Sequence, residues 1–299
     1  MALPEPGRLA EVTVVIVTYN SAAALPACVH GLAAAGVRFI IVDNHSRDGS
    51  AALAAELLPQ AEILRLEENR GFGRACNLAL QRLRTPFALL LNPDCQISAP
   101  SIGALLSAAA RYPTAALLAP RLYDAPGRLG CCYRPAFFKP QPRRQHEPQG
   151  DLCSEFLTGA VLLLRMAQLR DVGFFDPWFF LYGEDDDLCL RVRSRGYSLV
   201  LAHAASALHP PKTSSPNSPE INRRRGFCLA ASKLYLVHKH LGCRAWRRQR
   251  LRTLLGGVGG WLVAVLMQDR RRRQFAAGRI AAARLTPALV AARECPAGG

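Results

Sequence analysis

The 299-residue chain has no run of roughly 20 apolar residues, the length a membrane-crossing helix needs. Its longest apolar stretch, LLGGVGGWLVAVLM at residues 254–267, is fourteen long. The ten cysteines contain no C-x-x-C pair and no regular spacing, which argues against a zinc site and against a disulfide scaffold. Reduced, mostly buried thiols in a cytosolic chain are expected. The 23 Gly and 21 Pro follow no period and no segment repeats, so collagen-like and repeat architectures are excluded. The first apolar run, residues 12–17, is too short for the centre of a signal peptide. With 50% hydrophobic residues, a chain of this length buries a sizeable core, which excludes disorder.

Acidic residues are scarce in one region only. Residues 220–299 carry 17 Lys and Arg against 3 Asp and Glu, or +14 of the overall +16. Residues 1–219 carry 21 against 19. The basicity therefore belongs to a tail. A nucleic-acid binder would carry it on the fold, interleaved with aromatics, so no nucleic-acid partner is expected.

Short apolar runs alternate with helical patterns along the first 120 residues. The pattern predicts strands at 12–19, 39–43, 63–66, 87–91 and 115–119, and helices at 21–35, 48–58, 71–83 and 99–111. This is the pattern of a parallel α/β sheet whose strands are covered on both faces. Beyond Pro120, residues 139–150 (KPQPRRQHEPQG) read as a mobile surface loop, and 157–166 as a strand leading into a short helix. An aromatic run, residues 172–183 (VGFFDPWFFLYG), precedes a helix at 184–195 with four carboxylates at its positive end. Residues 198–209 read as one or two strands, 210–219 as a loop and 220–240 as a helix.

Several segments have the residue types that chemistry needs. Thr18-Tyr19-Asn20-Ser21 ends the first strand, where open α/β sheets bind ligands, and the same residues also suit a helix N-cap. Asp43 ends the second strand, as an acceptor for a ribose or base or, with Ser46 and Asp48, as part of a cap. In residues 68–77 (ENRGFGRACN), glycines allow close approach to the backbone, and two Arg and two Asn suit phosphate and sugar hydroxyls. That segment follows the third strand, so it is no dinucleotide fingerprint; a plain turn and helix start is the other reading. Asp94, just past LLLNP, suits an ion bridging two phosphates or a turn. Four adjacent acids at 184–187 repel one another, and a carboxylate whose pKa is raised by its neighbours is a candidate general base. The preceding aromatics suit an apolar wall for an acceptor. His209 suits a metal ligand or a core position. A nucleotidyltransferase would want a Gly-rich, Lys-bearing phosphate loop near strand one, and VVIVTYNS has neither feature.

In this order, VVIVTYNS (14–21), VDNHSRDGS (42–50), NRGFGRACNLA (69–79), LLNPD (90–94), TGA (158–160) and GFFDPWFFLYGEDDDLCLR (173–191), then His209, resemble the family 2 glycosyltransferases of GT-A fold. The bacterial rhamnosyltransferases of cell-surface polysaccharide assembly are the group most resembled. The resemblance covers roughly residues 12–240 and implies an α/β GT-A domain, Rossmann-like and mostly parallel, over residues 1–240. Its nucleotide-sugar half would span about 10–120 and its acceptor half about 150–215. Residues 241–299 are a basic helical tail, whose apolar stretch 254–267 between Arg244–Arg252 and Arg270–Arg273 reads as an amphipathic segment lying in a membrane interface or as a packing helix with solvated charges.

Carried over by residue, the resemblance implies that Thr18, Tyr19, Asn20 and Asp43 hold the donor nucleoside. Arg70, Gly71, Phe72 and Asn77 would sit by the donor sugar or diphosphate. Asp94 would match the last acid of the family's D-x-D motif, with Asn92 at its first position, and His209 would be the second ligand of a Mg²⁺ or Mn²⁺ ion. Asp185 matches the catalytic base, with Asp186 beside it. The implied activity is inverting transfer of a sugar, rhamnose from a donor such as dTDP-rhamnose, to a lipid-linked or polysaccharide acceptor. The implied place is the inner face of the cell membrane, with an anionic membrane surface as a partner of the tail. Asn92 and the Pro210-Pro211-Lys212 that follows His209 depart from the family pattern. They leave open a catalytically inactive nucleotide-sugar-binding or scaffolding protein.

Overall fold

The computed structural model describes residues 8–142, 145–210 and 218–285. After a 3-10 turn at Arg8–Glu11, strand and helix alternate. The elements are β1 (Val12–Thr18), α1 (Leu25–Val29), β2 (Arg38–Asp43), α2 (Ser50–Leu57), β3 (Glu62–Arg65), α3 (Phe72–Leu80), β4 (Phe87–Leu91), β5 (Gln96–Ile97), α4 (Ala99–Arg111) and β6 (Ala115–Ala125). There follow β7 (Arg128–Leu129), β8 (Tyr133–Arg134), β9 (Leu152–Cys153), β10 (Phe156–Leu157), β11 (Val161–Arg165), α5 (Met166–Val172), α6 (Glu184–Ser194), β12 (Ser198–Leu208), α7 (Pro219–Leu266) and α8 (Arg270–Ala282).

Two compact units divide the described chain. The first holds the sheet and comprises residues up to 70, 74–175 and 185–210; the second comprises 71–73, 176–184 and 218–285. In the first, the strand order is β3-β2-β1-β4-β11-β6-β12-β5, with β7 beside β6 and β9 beside β12. β1 to β4 run parallel, as do β6 and β12, while β11 runs antiparallel between β4 and β6. Every residue of β1 and β4 is buried, as strands covered on both faces require. A separate ribbon pairs β8 with β10.

Local differences from the sequence expectation have local causes. The helix expected over 21–35 is α-helical only at Leu25–Val29: Pro26 sits in its first turn, and after Val29 the bonds shorten to the type Leu32 N–H to Val29 carbonyl. The strand expected at 115–119 extends to Ala125, because it turns at Gly127 (φ 72°) into a hairpin with β7. The described residues of 139–150 lack regular structure yet are fastened: Tyr133 Oη donates to the His146 carbonyl (2.6 Å), and Tyr123 and Arg121 both donate to the Glu147 carboxylate. Residues 143–144 of that segment, 211–217 of the expected 210–219 loop and 286–299 of the tail lie outside the described residues. The helix expected at 220–240 forms the first part of α7, which kinks at Gly242 (φ 79°, ψ 178°) and runs on as a second helix to Leu266.

In the second unit two aromatics of the run, Trp178 and Phe179, form core, while Phe180 and Tyr182 are half-buried. Trp178 and Phe179 are 1% and 0% exposed. Trp178 stacks on Tyr235 of α7, with centroids 4.0 Å apart, and Tyr235 Oη donates to Asp176 (2.7 Å), which also pairs with Lys239 (2.6 Å). Side chains of this size are left exposed only at a large cost, and α7 supplies the apolar face that covers them. α7 also lies against α8 so closely that a Cβ at Gly226 would collide with the Phe275 carbonyl, and one at Gly278 with the Arg223 carbonyl.

Past residue 250, α7 has two unlike faces. Thr253, Gly257 and Ala264 are buried, and Gly257 faces Ile280 of α8. Leu251, Leu255, Val258, Leu262 and Val265 form an outward stripe at helical spacing, with Leu255 62% and Leu262 52% exposed. No described helix is long and apolar enough to cross a membrane.

The glycine contact predicts that Gly278→Val lowers the stability of the second unit by about 2–3 kcal/mol. All three tryptophans, Trp178, Trp246 and Trp261, lie in that unit, so their fluorescence during urea unfolding measures the loss.

Candidate active site

The carboxyl ends of β1, β2 and β3 are cross-linked by side-chain bonds to backbone. Thr18, fully buried, donates its hydroxyl to Asp43 Oδ1 (2.9 Å), and Asp43 Oδ2 accepts the Ser46 N–H (3.1 Å). Asn20, in the left-handed region (φ 52°), accepts the Arg47 N–H at its side-chain oxygen (2.8 Å). Asn44 accepts the Arg70 N–H (2.8 Å) and donates to Asn69 (3.0 Å). Tyr19 is 45% exposed above this platform. Buried polar groups need partners, so these bonds fix three loop backbones and hold Asp43 at the end of β2.

At the end of β4, Asn92 N–H donates to the Ala160 carbonyl (2.9 Å), and the Cys95 N–H to the Asn92 carbonyl (2.9 Å). Asp94 Oδ1 lies 3.5 Å from His209 Nε2, and the ligand atoms of Asp94, Cys95 and His209 lie within 4.8 Å of one another. A carboxylate and an imidazole suit Mn²⁺ or Mg²⁺ completed by phosphate oxygens; the soft thiol of buried Cys95 suits neither, so Asp94 and His209 are the pair that fits.

α6 presents its acids in distinct settings. Asp185 accepts the Asp186 N–H (2.9 Å) and the Gly159 N–H (3.4 Å). Its burial, and next the neighbouring charge of Asp186, push its pKa up to about 6. Arg134 Nη2 lies 2.8 Å from both oxygens of Asp186, and Asp187 pairs with Arg191 at 2.7 Å.

Other expected residues are engaged with backbone. Asn77 donates to the Phe175 carbonyl (2.8 Å) and accepts the Phe175 N–H (3.0 Å), which occupies both ends of its amide. Phe72 N–H donates to the Phe180 carbonyl (3.1 Å). Gly71 (φ 83°) lies so close to that carbonyl that any Cβ there would collide with it. The Arg70 side chain pairs with Glu68 (3.7 Å).

The family model described as glycosyl transferase family 2 matches residues 13–162, half of the chain. The chain belongs to this family. A model for glycosyl transferase family group 2 matches residues 147–291. The chain is 28% identical over 281 residues to N-acetylglucosaminyl-diphospho-decaprenol L-rhamnosyltransferase of Mycobacterium tuberculosis, over 82% of this chain and 89% of the relative. Among solved structures it resembles GalNAc-T7 with UDP, GalNAc and Mn²⁺ (TM-score 0.61, 14% identity), over 78% of this chain and 48% of that one. It also resembles the mannosyltransferase PcManGT of Pyrobaculum calidifontis with GDP-Man and Mn²⁺ (TM-score 0.55, 16% identity), over 94% and 88%. At these identities the two structures show the fold: a mostly parallel GT-A sheet flanked by helices.

In this family 2 glycosyltransferase, the site residues of the first unit sit at one end of the sheet, past β1, β2, β4 and β12. Sequence reasoning missed Asn44 and Arg134, which hold backbone or another side chain, and offered Asn69 for phosphate or sugar hydroxyls, whereas its side-chain oxygen accepts from Asn44. Asn44 and Asn69 lie within motifs the sequence displays, whereas nothing around Arg134 in the sequence marks it. Thr18→Val keeps the shape of the side chain but leaves Asp43 short of a partner. It is expected to lower the unfolding free energy by about 2 kcal/mol in urea titrations followed by circular dichroism.

Proposed function

We propose that the chain is an inverting, metal-assisted glycosyltransferase that moves a sugar, rhamnose, from a nucleoside diphosphate donor to a lipid-linked or polysaccharide acceptor of the cell envelope. The observation that carries this reading is the joining of two features: Asp94 and His209 lie 3.5 Å apart past β4 and β12, and the Asn92–Ala160 and Gly159–Asp185 bonds tie that loop to a carboxylate of raised pKa. The name of the mycobacterial relative supports both the sugar and the polyprenyl-diphosphate acceptor. The Mn²⁺ in two structural neighbours supports the ion.

The chain's own residues then divide the work. Asp43, with Thr18, Tyr19 and Asn20 around it, receives the nucleoside, and Arg70 and Asn92 face the sugar and diphosphate. Asp94 and His209 hold the divalent ion, which when bound neutralises charge on the leaving diphosphate. Asp185 accepts the proton of the acceptor hydroxyl as that oxygen attacks the anomeric carbon on the face opposite the diphosphate, so the configuration inverts. The backbone N–H groups of Asp186 and Gly159 fix the carboxylate for that task. Asn77 acts on the donor through the Phe175 backbone that it holds.

The tail brings this chemistry to an anionic membrane surface. The outward stripe of α7 is flanked by Arg244, Arg247, Arg248, Arg250 and Arg252 on one side and by Arg270–Arg273 on the other, the composition of a helix lying in the interface plane.

The first test incubates the full chain with UDP-, dTDP- and GDP-sugars, with and without Mn²⁺, and measures released nucleoside diphosphate. Mn²⁺-dependent turnover of dTDP-rhamnose is expected, reduced at least about 100-fold in Asp185→Asn and in Asp94→Asn. Failure to bind any donor would leave the inactive scaffold as the better reading.

The membrane part predicts flotation with phosphatidylglycerol vesicles that weakens as salt rises and is lost in the Leu255→Glu, Leu262→Glu double variant. Equal binding to neutral vesicles would refute it.

A further inference from the structure

Asp186 sits beside the proposed base, and two like charges at adjacent residues disfavour ionisation of both. Arg134 answers that charge from outside the helix. It lies on β8, paired with β10 at Phe156, and its guanidinium lies 3.5 Å from the centroid of the Phe156 ring. Its Nη1 donates to the Pro135 carbonyl (3.3 Å) and its Nη2 reaches both oxygens of Asp186. Both partners are mostly buried, with 20% and 14% of their side-chain surface exposed, so the pair is little screened by solvent.

We propose that Arg134 is a positioning residue, which by holding and neutralising Asp186 keeps Asp185 as the acid that ionises and takes the acceptor proton. This rests on the reading of Asp185 as the base. Without Arg134, the full charge of Asp186 opposes ionisation of Asp185. The other titratable groups beside this cluster are Glu184 and Asp187 on α6, Asp187 being paired with Arg191, and the Cys131 and Cys189 thiols, both raised by burial and therefore neutral near pH 7. Arg134 is the cation facing Asp185, and Asp186 the anion.

The test is a pH titration of the full chain labelled with ¹³Cγ-aspartate, the Asp185 resonance being assigned by its loss in Asp185→Asn. The midpoint of Asp185 is expected to rise by about one pH unit in Arg134→Gln. It should fall in Asp186→Asn, return toward the parent value in the double variant, and move less in Arg134→Lys, which keeps the charge. The acid limb of donor turnover should shift in the same directions. Midpoints that do not move in Arg134→Gln and Asp186→Asn, with the spectra otherwise those of the folded parent, would overturn the proposal. If Arg134→Gln does not fold, an unmoved Asp185 midpoint in Asp186→Asn counts equally against it. If the midpoints move as expected while Asp185→Asn keeps full donor turnover, it is the assignment of the base that fails.

Discussion

The site depends on one antiparallel strand in an otherwise parallel neighbourhood. β11 enters the sheet between β4 and β6 with Val161 opposite Leu91, so the residues just before it arrive where β4 ends. That register puts Ala160 against Asn92 and leaves Gly159 to meet Asp185. A parallel strand in the same slot would deliver its preceding residues to the opposite end of the sheet. The Asp94 and His209 pair and the carboxylate on α6 are therefore held in one structure by backbone bonds, and backbone bonds are what give side chains fixed positions without needing a particular partner.

Charge is managed around that frame by assigning partners. Asp43 is buried against Thr18 and the Ser46 N–H, Asp186 is held by Arg134 and Asp187 by Arg191. Each is a carboxylate taken out of water, and each has the donors that make such burial affordable. Asp185 differs: its polar contacts here are N–H groups of the backbone, and burial raises its pKa toward the range in which a carboxylate both accepts and releases a proton. Its stability contribution has the matching sign. The raised pKa favours the folded state below the ordinary carboxylate value, and that contribution is lost as the pH rises through about 6.

The second unit follows the opposite logic, with apolar surface both buried and displayed. Its aromatic run is enclosed against α7 at Trp178 and Phe179, and small residues let α7 and α8 approach closely. Having spent its small residues on α8, the end of α7 carries its large ones outward.

The sequence by itself determined the elements whose signals are local. The apolar runs of β1 and β4, the helix at 99–111, and the ordered motifs VVIVTYNS, LLNPD and GEDDD were legible because burial on both faces, helical pattern and motif order need no distant partner to be read. The extent of α1 and the second helix that follows the Gly242 kink of α7 were not legible, since they depend on backbone bonds and packing that form only in place. Nor was the fate of the aromatics, for a run such as DPWFFLYG is equally suited to a ligand wall and a core. Only the tertiary structure decided that Asn77 clamps Phe175, that Asn44 reaches Arg70 and that Arg134, 52 residues from Asp186, pairs with it. Those are contacts between residues far apart in the chain, and the physical reason they escape sequence reading is that each is fixed by strand register and loop path rather than by the residue types themselves.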